Sequence, residues 1–129
     1  MMREFKLPSG STLKVGLAPF EVSRSLYQAF LEEVKGIQIS SATQLASIYK
    51  DIFCIGFSSK KIETILWECF KQCLINDLRI DAKTFEPEVA RSDYMTVCMN
   101  VAKENINPFV KSLYAEYSQF LSTMLNDLA

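Results

Sequence analysis

Hydrophobic and polar positions change period along the chain. They alternate from Glu4 to Leu7 and again from Thr12 to Leu17. Alternation places Phe5 and Leu7 on one face of a strand, and Leu13, Val15 and Leu17 on one face of the next. The Pro8-Ser9-Gly10 stretch between them is a turn signal, so the pattern predicts a β-hairpin over 3–17. A lone hairpin is marginal in water. This one is expected to pack on the rest of the chain or to join another chain's sheet.

From Pro19 onwards the period lengthens to that of helices. Proline at the opening turn costs no hydrogen bond, and Phe20, Tyr27, Phe30, Leu31 and Val34 share a stripe, with Gly36 as the stop. A second helix is predicted over 43–55 on Leu45, Ile48, Tyr49 and Ile52. A third follows a cap at Ser58 or Ser59, with Ile62, Ile65, Leu66, Cys69, Phe70, Cys73 and Leu74 as a wide apolar face. Residues 76–83 read as a connection with an extended piece at Leu78-Arg79-Ile80. A fourth helix starts at Thr84-Phe85-Glu86-Pro87, where Glu86 and Glu88 suit the positive end of the dipole. Its apolar residues lie on two sides, which predicts a central position. Asn107-Pro108 reads as a break and a cap, because the residue before proline is disfavoured in the α region. A fifth helix then runs from Pro108 to about Leu125. The resulting fold class is mainly α: an N-terminal β-hairpin followed by about five helices packed as one small domain, 1–129, with the helical region at 19–129.

Composition sharpens this picture mainly by exclusion. A chain of 129 residues with 49% hydrophobic content is one domain's worth, long enough to fold without a staple. It contains no histidine, which removes the usual general base, imidazole metal ligand and pH switch. Fourteen basic residues against fifteen acidic give a net charge of −1, without the basic stripe that nucleic acid requires. No apolar run approaches bilayer length and no signal peptide opens the chain, so a cytosolic protein with reduced thiols is expected. Cys69 and Cys73 then read as small buried hydrophobes, and no metal or other cofactor is expected. The nearest carboxylate pairs are Glu32-Glu33 and Asp77 with Asp81. Adjacent glutamates on a helix point about 100° apart, and nothing marks a cleft around the aspartates. No catalytic residues are expected.

Two features stand out as candidate contacts. Trp67 lies off the stripe of its helix, so it either packs under the N-terminal hairpin or anchors a partner. The last helix carries Phe109, Val110, Tyr114, Tyr117, Phe120 and Leu121, a wider apolar face than one neighbouring helix needs. It reads either as core or as an oligomer surface or client groove.

Two stretches carry a family resemblance. One is Leu7-Pro8-Ser9-Gly10 with its strand and Leu17-Ala18-Pro19-Phe20. The other is Thr84-Phe85-Glu86-Pro87-Glu88 through Asp93-Tyr94 to Asn107-Pro108-Phe109. Together they resemble the tail assembly chaperones of long-tailed bacteriophages, over most of the chain. The resemblance implies a non-catalytic protein of a phage or prophage tail module, acting in the bacterial host cytoplasm. It would coat the helical, aggregation-prone tape-measure protein and leave as the major tail protein polymerises. A homo-oligomer is expected from the wide apolar face of the last helix, and the charge balance and the lack of a bilayer-length run make neither nucleic acid nor membrane an expected partner. A permanent minor structural or connector protein of the virion is the alternative, and a small regulator of host or phage enzymes is a third reading.

Overall fold

The computed structural model describes residues 2–33 and 59–128. Their elements are β1 (Arg3–Lys6), β2 (Thr12–Val15), α1 (Phe20–Glu33), α2 (Lys60–Phe70), β3 (Cys73–Ile75), β4 (Leu78–Arg79) and α3 (Glu88–Leu128). The predicted helix over 43–55, the Gly36 stop and Cys54 lie outside the described residues.

The hairpin forms where the alternation places it. Phe5 pairs with Leu13 and Arg3 with Val15, in antiparallel register. Gly10 has φ +95, a conformation that glycine adopts without strain, and its N–H donates to the Leu7 carbonyl at 2.9 Å. Leu7, Leu13 and Val15 are buried, but Leu17 is exposed, against the face assigned to it. The strand ends at Val15, so the alternation that would carry Leu17 inward stops first.

The hairpin does not stand alone. β2 also pairs antiparallel with β3, and β3 with β4, giving a four-stranded sheet in the order β1-β2-β3-β4. The apolar face expected to carry the third helix through Leu74 therefore ends at Phe70. Cys73 and Ile75 are strand residues opposite Val15 and Leu13. The chain can lie this close because position 16 has no side chain: a Cβ there would sit 2.7 Å from the Gln72 carbonyl oxygen. Asn76 and Asp77, with φ 51 and 64, form the two-residue turn between β3 and β4. Positive φ at both central residues is the type I′ pattern, whose twist matches a hairpin.

α1 begins just after Pro19, whose carbonyl accepts the N–H groups of Val22 and Ser23 at 3.0 Å. α2 starts at the expected cap, with the Ser59 hydroxyl accepting from the Ile62 N–H at 3.3 Å. α3 departs most from expectation. It starts at Glu88, with residues 84–87 in the turn before it, and it continues through Asn107-Pro108 for 41 residues. The predicted fourth and fifth helices are one helix of about 60 Å. Pro108 forfeits one backbone hydrogen bond, at a cost of about 3 kcal/mol in a helix interior. Packing on both sides of it offsets that cost. Val101, Ala102, Asn105 and Ile106 are buried before it, and Phe109 stacks on Tyr27 at 5.3 Å just after it. Of the predicted helices that fall on described residues, the first and third stand as separate helices and the fourth and fifth are one, so the count of about five is one too many.

The core lies between the sheet and the helices. Leu13 and Val15 meet Leu26, Ala29 and Phe30 of α1, Ile62, Leu66 and Phe70 of α2, and Val97, Val101 and Ala102 of α3.

Candidate interaction surface

Two buried polar side chains of α3 set the position of the N-terminal region. The Asp93 carboxylate, only 4% exposed, accepts the Ser9 N–H at 3.0 Å through Oδ1 and the Ser9 hydroxyl through Oδ2. It thereby fastens the tip of the hairpin to the start of α3. Asn105 is 1% exposed. Its Oδ1 accepts the Ala18 N–H at 2.9 Å and the Ser23 hydroxyl at 2.8 Å, and its Nδ2 donates to the Val101 carbonyl at 2.8 Å. This second clamp fixes the link from β2 into α1. A buried amide stripped of partners costs about 1–3 kcal/mol, so each clamp both stabilises and specifies the arrangement. Pattern reading gave neither residue a role, because a polar residue within a helical run gives no sign of what it will meet.

Trp67 packs within its own chain, away from the hairpin. Its Nε1 donates to the Tyr94 hydroxyl at 3.1 Å, and that hydroxyl donates to Glu63 at 3.5 Å. The Trp67 ring lies 4.9 Å from Phe70, 6.0 Å from Phe85 and 6.4 Å from Tyr94. Phe85 and Tyr94 meet edge to face at 4.9 Å. An open surface hollow of about 300 Å³ lies against Trp67, Phe85 and Tyr94, with Ala82, Glu86 and Arg91 completing its lining. Burial raises the Tyr94 hydroxyl above the ordinary phenol value, with Cys98 adding to the effect.

The thiols are inert by the same physics. Burial pushes Cys69 up to about 12, with Cys73 and Glu68 adding to it, and pushes Cys73 up to about 11. Burial likewise takes Cys98 to about 12. A thiol held protonated is a poor nucleophile at neutral pH. Among the described residues no group of three metal-ligating side chains converges, and no helix is long and apolar enough to cross a membrane. Asp77 pairs with Lys14 at 2.7 Å and raises its ammonium above the ordinary value, while Asp81 accepts the Lys83 N–H at 2.8 Å in a turn. The two aspartates thus take separate structural roles.

The surface of α3 is where apolar groups gather. Met95, Met99, Leu113, Phe120 and Met124 are 44–60% exposed and fall within about 60° of one another around the helix. Ala102 and Ile106 share that sector but are buried, so the stripe is two patches, one near each end. Of the residues singled out on this helix, Phe109 is half-buried between Tyr27 and Phe20, Val110 is half-buried, and Phe120 is 60% exposed. Tyr114, Tyr117 and Leu121 lie on the same helix, and their side chains are outside those described. Phe20, itself 63% exposed, carries the Arg24 guanidinium 5.3 Å above its ring and extends the apolar surface beside Phe109. Nothing in the sequence distinguished Phe109 from Phe120. One faces α1 and the other does not, which only the packing of the helices decides.

Comparison with family models, with curated proteins and with solved structures finds no match to this chain.

Proposed function

We propose that the protein is a non-catalytic assembly chaperone of a phage tail module, self-associating and acting in the host cytoplasm while tails are built. In this reading it binds the tape-measure protein through apolar helix–groove contacts and releases it as the major tail protein polymerises. The observation that carries the reading is the exposed patch of Leu113, Phe120 and Met124 on α3. A long helical client with apolar stripes needs a reversible apolar surface of this kind, and exposed large hydrophobes in register on one helix face supply it. The two stretches that resemble tail chaperones also meet in the fold, at the Ser9–Asp93 and Ala18–Asn105 clamps.

Co-expression with the tape-measure protein encoded nearby tests the proposal. A soluble complex is expected, and it should be lost when Leu113 and Phe120 are both replaced by serine. If the client is no more soluble with the protein than without it, the reading fails. Mass spectrometry of purified particles separates the alternative. A chaperone is absent from finished tails, whereas a minor structural or connector protein is present at fixed copy number.

A further inference from the structure

We propose that the open edge of β1 pairs antiparallel with β1 of a second copy of this chain, about a two-fold axis at Phe5. The inference gives the self-association named above a surface, and it requires no client.

β1 is the outermost strand of the sheet, and no described strand pairs with its far side. The backbone bonds show which residues point there. Thr12 accepts the Asn76 N–H at 2.9 Å and Gly16 donates to the Gln72 carbonyl at 3.1 Å, so alternate residues of β2 from Thr12 face β3. The others, Ser11, Leu13 and Val15, face β1. Leu7 accordingly donates to the Ser11 carbonyl at 2.9 Å. With Leu7, Phe5 and Arg3 turned towards β2, the N–H and C=O groups of Glu4 and Lys6 point to the open edge.

This leaves three ways for two such edges to pair antiparallel. Glu4 can face Glu4 of the other copy, Lys6 can face Lys6, or Glu4 can face Lys6. Like charges directly opposite are unfavourable, and opposite charges are favourable. Only the third register joins opposite charges, and the two-fold makes that pair twice. It also sets the two Phe5 rings opposite each other at a non-hydrogen-bonded position, where side chains approach closest. Each of the two facing residue pairs exchanges two backbone hydrogen bonds.

The side chains are placed for this. Glu4 and Lys6 stand on the sheet face opposite Phe5, and both are exposed. Lys6 has no carboxylate partner among the described residues and rests on the Gly10 carbonyl at 3.3 Å and the Thr12 hydroxyl at 3.4 Å. Glu4 reaches Lys14 only at 3.9 Å, while Lys14 holds Asp77 at 2.7 Å. Charged side chains, lysine above all, commonly protect a strand edge against pairing. The outward-turned residues Glu4 and Lys6 carry one charge of each sign, spaced so that the pair complements itself.

Sedimentation equilibrium of the full chain over a wide concentration range, at low and high salt, tests the proposal. The wild type is expected to show a monomer–dimer equilibrium that weakens with salt. Either K6E or E4K should weaken the dimer about tenfold or more, because each turns two attractive pairs into repulsive ones. K6E is the cleaner variant, since E4K also places like charge beside Lys14. The E4K/K6E double variant should dimerise as the wild type does, and an equal mixture of the two single variants should form a heterodimer. Circular dichroism of each variant confirms that it is folded. A wild type that stays monomeric overturns the proposal. So do reversal variants that dimerise unchanged, which is the outcome for association through α3, and so does a double variant that stays monomeric. Failure of the client experiment leaves each of these readings unaffected.

Discussion

At the scale of single residues, the fold depends on a few polar groups placed inside it. Asn105→Ala removes the acceptor of the Ala18 N–H, which it strands within the protein, and leaves the Ser23 hydroxyl only the Ala18 carbonyl at 3.5 Å. The expected loss is about 1–3 kcal/mol, seen as a lower urea midpoint with an unchanged slope. Asp93→Ala should cost a similar amount and loosen the hairpin tip, which amide exchange at Ser9 would detect. The thiols give the stability a pH dependence. Cys69, Cys73 and Cys98 are raised to about 12, 11 and 12 in the folded chain, against an ordinary value of 9.0. Below pH 9 both states keep these protons and the thiols contribute no slope. Above it the unfolded chain loses them first, so stability falls as pH rises towards 11–12, by up to about 1.4 kcal/mol per thiol per pH unit. Urea midpoints at pH 8 and pH 10.5 should show the fall, and Cys98→Ala should make it shallower. None of these residues announces its role by type. Sequence reading placed the cysteines in an apolar interior because they sit in apolar runs. It passed over Asn105 because that asparagine lies between an isoleucine and a glutamate, and two of its partners, Ala18 and Ser23, come from the other end of the chain.

At the scale of elements, the sequence was most legible where local chemistry settles local geometry. Pro8-Ser9-Gly10 turns, Ser59 caps, and Pro19 precedes a helix. It was least legible where distant contacts override a local signal. Asn107-Pro108 is a sound place to end a helix, yet α3 passes through it because Ile106 and Phe109 are held in register on either side. Pro108→Ala should therefore stabilise the protein. It restores an N–H to the Glu104 carbonyl and removes a steric clash, and the expected rise in thermal midpoint corresponds to about 1–3 kcal/mol. A midpoint that falls would mean that the proline shapes a bend on which the packing depends. β3 was missed for a related reason. A three-residue strand is too short to show a period, and its cysteine and leucine also continue a helical stripe. The usable signal was Asn76-Asp77, two turn-forming residues between Leu74-Ile75 and Leu78, which marks a two-residue hairpin. Gly16→Ala tests the same junction. Its methyl group would meet the Gln72 carbonyl oxygen at 2.7 Å, so β2 and β3 must shift apart and the thermal midpoint should drop.

At the scale of the whole molecule, α3 organises the rest. One side of its first half is covered by the sheet, α1 and α2, with Met95 and Met99 left exposed, while from Lys111 onward every described side chain is exposed. One helix therefore serves as core at one end and as surface at the other. Replacing Leu113 and Phe120 by serine should leave stability within about 0.5 kcal/mol for each, because neither is buried, while abolishing capture of a helical client. Thermal melting and co-purification, measured on the same variant, separate the two effects. If stability falls by several kcal/mol, the patch belongs to the fold and not to a partner.

The sequence by itself determined what is local or additive. It determined a mainly helical chain, the N-terminal hairpin and its turn, the capped start of α2, and apolar surroundings for Cys69, Cys73 and Cys98. These follow from periodicity, from the φ preferences of proline and glycine, and from short side chains that cap helices, all of which act within a few residues. Only the tertiary structure decided what depends on meeting. It joined the hairpin to β3 and β4, carried α3 across a proline, packed Phe109 against α1 and left Phe120 at the surface, and paired Asp93 and Asn105 with residues more than eighty positions away. Each of these is a contest between a local preference of about 1–3 kcal/mol and the burial of groups that adjoin only once the chain has folded.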